Sequence, residues 1–192
     1  MSPWEKAGAI AILLGCAASS LRAQEMTVEL DPKATTITFT LEATLHSVHG
    51  SFALNRGTIH FNPATGSAGG LVVVDLASGE TGNQGRNHKM HKDVLESERY
   101  PEATFAPTKI SGAFSGQGES KVQMDGVFKL QGTEHAMSVA VLVKVSGHRL
   151  TGQVQLSIPY VEWGLKNPST LFLHVGHTVA VEIDAAGELT GQ

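Results

Sequence analysis

Histidines recur three residues apart at three places in this chain: His46 with His49, His88 with His91, and His174 with His177. On a helix, two histidines at that spacing share a face and can hold one metal ion between their imidazoles. On a strand the same spacing sends the two rings to opposite faces, which is wrong for chelation. Only His88 and His91 fall in a stretch with helical character, TGNQGRNHKMHKDVLESERYP, residues 81–101. It is also the most polar stretch of the chain. No HExxH motif and no cysteine ligand accompanies the pairs, so they read more simply as surface or rim histidines than as a metal site.

Nucleophilic chemistry has less to start from. There is no G-x-S-x-G elbow, and no spacing of serine, histidine and acid selects a triad. Glu96 and Glu98 lie on a polar loop, where solvation is their simplest fate. The GNQG run (82–85) lacks the G-K-[ST] ending of a phosphate loop, while Gly82 and Asn83 suit a tight turn. Arg86 can reach Glu96 or Glu98 and fix the local structure, or it can hydrogen-bond a ligand head group. Tyr100 and Trp163 either pack near a sheet end or rim a pocket mouth.

The elements that must position these residues are strands. Ile37, Phe39, Leu41, Ala43 and Leu45 alternate with polar residues, which gives one dry face and one wet face. The pattern returns at Val122, Met124, Phe128 and Leu130, at Leu150, Val154, Leu156 and Ile158, and at Val179, Val181 and Ile183. Turn signals separate the runs: LNRG near Asn55, NPATG near Pro63, SGQG near Gly116, QGTE near Gly132 and SGH near Gly147. Strands joined this closely are antiparallel neighbours. Their shared apolar face must be hidden in a sandwich or a closed barrel, so the fold class is all-β. One stretch departs from this rhythm. Met90, Val94 and Leu95 recur at helical spacing, predicting a short helix near Gly85–Ser97, against one end or edge of the sheet and stopped by Pro101.

Of 192 residues, 41% are hydrophobic and 17% charged, enough apolar material for a core in a single domain. The net charge of −4 offers no basic face, which argues against nucleic acid and against anionic membrane surfaces as partners. Residues 1–23 read as a signal peptide. Lys6 precedes the apolar AGAIAILLGCAASS, and Leu-Arg-Ala stands before Gln24. The expected domain is then 24–192, exported, periplasmic or secreted. A competing reading takes LLGC (Leu13 to Cys16) as a lipobox, with acyl chains on Cys16 as the anchor. Cys16 is the only cysteine, so cleavage after Ala23 leaves no thiol for disulfides or catalysis.

The ordered motifs resemble those of the YceI-like family. HSVHGSF (46–52) and GTIHFNP (57–63) look like its early strands. The TGN, Arg and Lys-Met of residues 81–90, followed by SERYPEATF (97–105), look like its most recognisable segment. GVFKLQGTEHAMSVAV (126–141), EWGLKNP (162–168) and VGHTVAVEI (175–183) resemble its later hairpin and closing strands. The resemblance spans roughly Met26 to Ile183. One position departs from it: Asn87 stands where an Asp is usual, so an Arg-carboxylate pair becomes a neutral hydrogen bond and loop stiffness is put in question.

The resemblance implies an eight-stranded antiparallel lipocalin-like barrel around a long apolar pore. It further implies a polyisoprenoid ligand, such as an isoprenoid quinone or a lipid carrier; no other cofactor and no metal is expected. A long chain can bind there with few polar contacts, since each buried CH₂ contributes about 0.8 kcal/mol. The alternation then nominates Phe39, Leu41, Phe52, Phe105, Phe128, Val141, Leu156 and Ile158 as ligand-binding interior residues. A register slip of one residue would turn any of these strands inside out. Met90 and Leu95 are expected to face inward from a segment closing one end or edge. Membrane contact for lipid exchange belongs to this reading. The oligomeric state is left open, a homodimer being one option. Two other classes stay open: a lipid-modifying enzyme using Arg86, His88 or His91, and a filled-core barrel acting as an interaction or stress protein.

Overall fold

The computed structural model describes residues 25–44, 46–170 and 174–191. The signal segment, its boundary at Gln24 and the Cys16 lipobox lie outside the described residues, as does Leu45.

Nine strands among the described residues form one antiparallel sheet. They are β1 (Met26–Leu30), β2 (Thr36–Ala43), β3 (Val48–Phe61), β4 (Ala68–Glu80), β5 (Glu102–Ser111), β6 (Gly118–Leu130), β7 (Thr133–Ser146), β8 (Arg149–Ile158) and β9 (Val175–Thr190). From β3 to β9 each strand pairs with the next. Both β1 and β2 pair with β3 on one side and β9 on the other, which closes the sheet. They run consecutively along one stave, so the nine segments make the expected eight-stranded barrel. Asp31-Pro32 interrupts that stave. Asp31 Oδ1 accepts the Lys33 N–H at 2.8 Å, and the buried Thr35 hydroxyl donates to the Ala186 carbonyl at 3.3 Å.

Turn chemistry sets the hairpins. Gln131 and Gly132 both have positive φ (48° and 78°), the type I′ geometry that matches strand twist, and they join β6 to β7. NPATG, SGQG and SGH also fall between strands. LNRG does not. Leu54 to Gly57 lies within the long strand β3, whose register against β4 shifts between Leu54 and Arg56. It is a β-bulge that bends the strand. Gly57 serves packing there: a Cβ would lie 2.7 Å from Leu30 Cδ1.

Between β4 and β5, the helix α1 (Gln84–Lys89) runs on into one wide π turn, Met90–Val94. Asn83 caps it, its side chain accepting the Arg86 N–H at 3.0 Å. The helical run stops before Pro101 is reached. Glu96 adopts φ 47°, and the Ser97 N–H returns to the His91 carbonyl at 3.0 Å.

Buried apolar residues gather at both ends of the barrel. One cluster, with Met26, Phe61, Val145 and Leu189, lies toward the β3–β4 and β7–β8 hairpins. The other, with Leu76, Leu95, Leu130, Tyr160 and Leu165, lies beneath α1 and the 159–170 loop.

Candidate functional site: the barrel lumen

Between these clusters the barrel is hollow, with a cavity of about 320 Å³. Close-packed interiors leave few voids larger than a water molecule, so this is not a packing defect. It falls in the size range of ligand pockets. Thr104 and Tyr160 are the only lining residues among those described that carry a polar side-chain atom. The Tyr160 hydroxyl donates to the Gly176 carbonyl at 2.7 Å, and burial raises its pKa. The lumen can therefore hold hydrocarbon but offers almost nothing to hydrogen-bond.

The strands deliver this lining through their pleat. Phe39 and Leu41 come from β2, Phe52 from β3, Phe105 from β5, Phe128 from β6, Val141 from β7, and Leu156 and Ile158 from β8; all eight line the cavity. Met90, Val94 and Leu95 reach it from the helical segment, as the apolar spacing of that segment requires. Several lining residues were not singled out from the sequence. Met137 shares the alternation of Val139 and Val141 and was legible there. Phe114 sits in the β5–β6 loop, edge-on to Phe61 at 5.0 Å between ring centres, where no periodicity marks it.

The polar segment above the helix end is held together by its own side chains. Arg86 does not reach Glu96 or Glu98: its Nε donates to Thr81 Oγ1 at 2.9 Å and its Nη2 to the Thr81 carbonyl at 2.6 Å. Arg86 lies within the helical turn that folds back over Thr81, whereas Glu96 and Glu98 follow the chain reversal and stay exposed. Asn87 Oδ1 accepts from the Thr81 backbone N–H and hydroxyl, and its Nδ2 donates to Glu80 Oε1 at 2.6 Å. The Asn87 amide first, and then the Gly82 N–H, hold the Glu80 carboxyl below its usual pKa.

His91 is a strut. Its Nε2 lies 2.9 Å from the Gly79 carbonyl, which can only accept, so this nitrogen carries the proton. Nδ1 lies 3.0 Å from the hydroxyl oxygen of the buried Ser97. His88 is exposed, and no group of three His, Cys, Asp or Glu among the described residues is arranged to hold a metal. His46 and His174 precede their strands, and the His49 ring lies 3.0 Å from Thr40 Oγ1.

Trp163 closes the helix end. It stacks on His135 at 3.9 Å and tilts against Phe128 at 5.8 Å. His135 faces Phe128 directly across β6 and β7, hence on the same face of the sheet. Its Nε2 is buried without a partner. Lys89 Nζ ties the helix to the Pro168 carbonyl at 2.8 Å, and Gln131 Nε2 donates to the Val94 carbonyl at 2.7 Å.

The fold is shared with solved structures, among them these three. BcnA of Burkholderia cenocepacia superposes with a TM-score of 0.67 at 19% identity, covering 82% of this chain and 98% of its own. A polyisoprenoid binding domain from Saccharophagus degradans gives 0.64 at 19% identity, covering 85% and 98%. The Campylobacter jejuni YCEI protein gives 0.59 at 18% identity, covering 76% and 86%. At these identities the likeness is one of fold. No curated protein sequence matches the chain. The model of the YceI-like domain matches residues 29–186, which is nearly the whole barrel. The chain belongs to the YceI-like family.

Proposed function

We propose that this chain is an exported carrier or sequestering protein for a polyisoprenoid or similar long-chain lipid, isoprenoid quinones included, and not an enzyme. The observation that carries this reading is the hollow apolar lumen of about 320 Å³. A cavity with no charged lining and almost no polar lining pays no desolvation cost for hydrocarbon. It gains about 0.8 kcal/mol for each CH₂ that enters. The same chemistry makes selection by hydrogen bonding weak and selection by shape dominant. The fold shared with a polyisoprenoid binding domain from Saccharophagus degradans points the same way.

Two of the three residues named for the enzymatic alternative are engaged in hydrogen bonds, and none of the three lines the lumen. Arg86 is committed to Thr81, His91 to Gly79 and Ser97, and His88 is exposed. The filled-core alternative is at odds with the hollow interior. Export rests on the apolar segment within residues 1–23 and the Ala23–Gln24 junction. Lipid exchange then requires passing contact with a membrane.

The test is native mass spectrometry of the protein purified from its own host, followed by organic extraction. A bound mass that extracts as a polyprenyl lipid is the expected result. An empty protein that also refuses added isoprenoid quinone overturns the reading.

A further inference from the structure

Three phenylalanines of the lumen do not fill it. Phe39 lies directly opposite Gly50 across β2 and β3, and a Cβ at position 50 would sit 2.5 Å from Phe39 Cε1. A Cβ at Gly126 of β6 would sit 2.5 Å from Phe105 Cζ on neighbouring β5. One at Gly79 of β4 would sit 2.6 Å from Phe52 Cε1, 2.7 Å from Met90 Cε and 3.1 Å from His91 Cε1. None of the three glycines has positive φ, so their backbones do not call for glycine. What each supplies is space on the wall, and in each case an aromatic ring occupies it. A ring laid against a neighbouring strand's glycine thins the wall locally and keeps its own volume out of the bore.

We propose that Gly50, Gly79 and Gly126 set the bore of the barrel, and through it the girth of the chain the protein accepts. The inference rests on the lipid-carrier reading and adds a specificity to it. A methyl-branched isoprenoid chain is wider than a straight alkyl chain of equal length. The recesses make room for the branches, because each ring returned to the lumen would remove the space that a branch occupies.

Gly79 is the position to test. At Gly50 and Gly126 an added Cβ also meets a neighbouring carbonyl oxygen, that of Glu80 or Ala106, each at 2.6 Å. At Gly79 the three nearest atoms all belong to side chains. The His91 ring is held by two hydrogen bonds, so Phe52 and Met90 are what must give way, and both line the lumen. The experiment measures binding of a polyprenol and of a straight-chain alcohol of equal backbone length, by displacement of a fluorescent lipid from delipidated protein. Wild type is expected to bind both. Gly79→Ala is expected to weaken polyprenol at least about tenfold more than the straight chain, and adding Phe52→Leu to restore it. Equal losses for both chains, or no loss, in a variant that still melts cooperatively would overturn the proposal. Should Gly79→Ala not fold, Phe52→Leu alone is expected to shift preference toward the polyprenol, and an unchanged preference overturns the proposal equally. Wild type that binds neither chain refutes the carrier reading itself, an outcome distinct from normal binding with an indifferent Gly79→Ala.

Discussion

Asn87, a neutral amide, bonds to both Glu80 and Thr81. An Asp here would set a second carboxylate against Glu80. The amide instead donates to Glu80 and accepts twice from Thr81, while Arg86 clamps Thr81 from the other side. Glu80 Oε1 additionally accepts the Thr81 and Gly82 N–H groups at 2.9 and 2.6 Å. All of these bonds favour the ionised carboxylate, so the folded protein holds Glu80 below its ordinary pKa. The sign follows: the folded state binds this proton less readily than the unfolded chain does. Stability from this knot is fully present above the unfolded value, about 4.3, and is lost as pH falls through the lowered folded value. The protection of the Thr81 and Gly82 amides, measured against their intrinsic exchange, which slows on acidification, is expected to fall as pH drops in wild type. In Glu80→Gln, which cannot ionise, that acid-induced loss should vanish; finding it intact would assign it to another group.

Among the elements, the helical segment between β4 and β5 owes its place to side-chain contacts with the barrel, not to propensity. Six α-helical residues and one π turn are too few to persist alone in water. Met90, Val94 and Leu95 anchor it in the lumen, and His91 pins it to the Gly79 carbonyl. In His91→Ala both bonds go and the buried Ser97 hydroxyl loses its partner, at a cost of about 1–3 kcal/mol. Hydrogen exchange should accelerate across residues 81–101 and leave β6 to β8 protected; uniform acceleration would mean that the segment and barrel unfold as one unit. The inward face of this helix was legible because apolar spacing reports it. Its end falls a few residues short of the Ser97 bound read from the sequence, because Glu96, in left-handed conformation, reverses the chain well before Pro101. LNRG misled because glycine marks a turn and a close approach alike, and only the presence of Leu30 against Gly57 tells which. Alternation did place Phe39, Phe52, Phe105 and their neighbours on the inner face. It did not reveal the hollow, because whether a ring enters the lumen or lies on the wall depends on the residue across the next strand.

At the scale of the whole molecule, the hollow is a stability the fold forgoes. An eight-stranded barrel is just wide enough for its side chains to fill, so a void here reflects which residues face inward and how they lie. In engineered cores each Å³ of cavity costs about 24 cal/mol, which gives the measure of what filling part of it could return. Gly152 offers a clean way to fill it. It lines the lumen, its φ is not positive, and an added Cβ would make ordinary contacts, 3.5 Å from Val141 Cγ1 and 3.9 Å from Ala185 Cβ. Glycine in a strand interior is itself unfavourable by roughly 0.5–1 kcal/mol. Gly152→Leu should therefore fold, melt at or above the wild-type temperature, and lose lipid binding by at least about tenfold as its side chain occupies the bore. Melting and lipid displacement measured on the same preparation separate the two effects. Stability gained together with binding lost would locate the ligand in the lumen and mark the void as kept for it. A stable Gly152→Leu that binds lipid as wild type does would move the site out of the barrel and leave the hollow without a role.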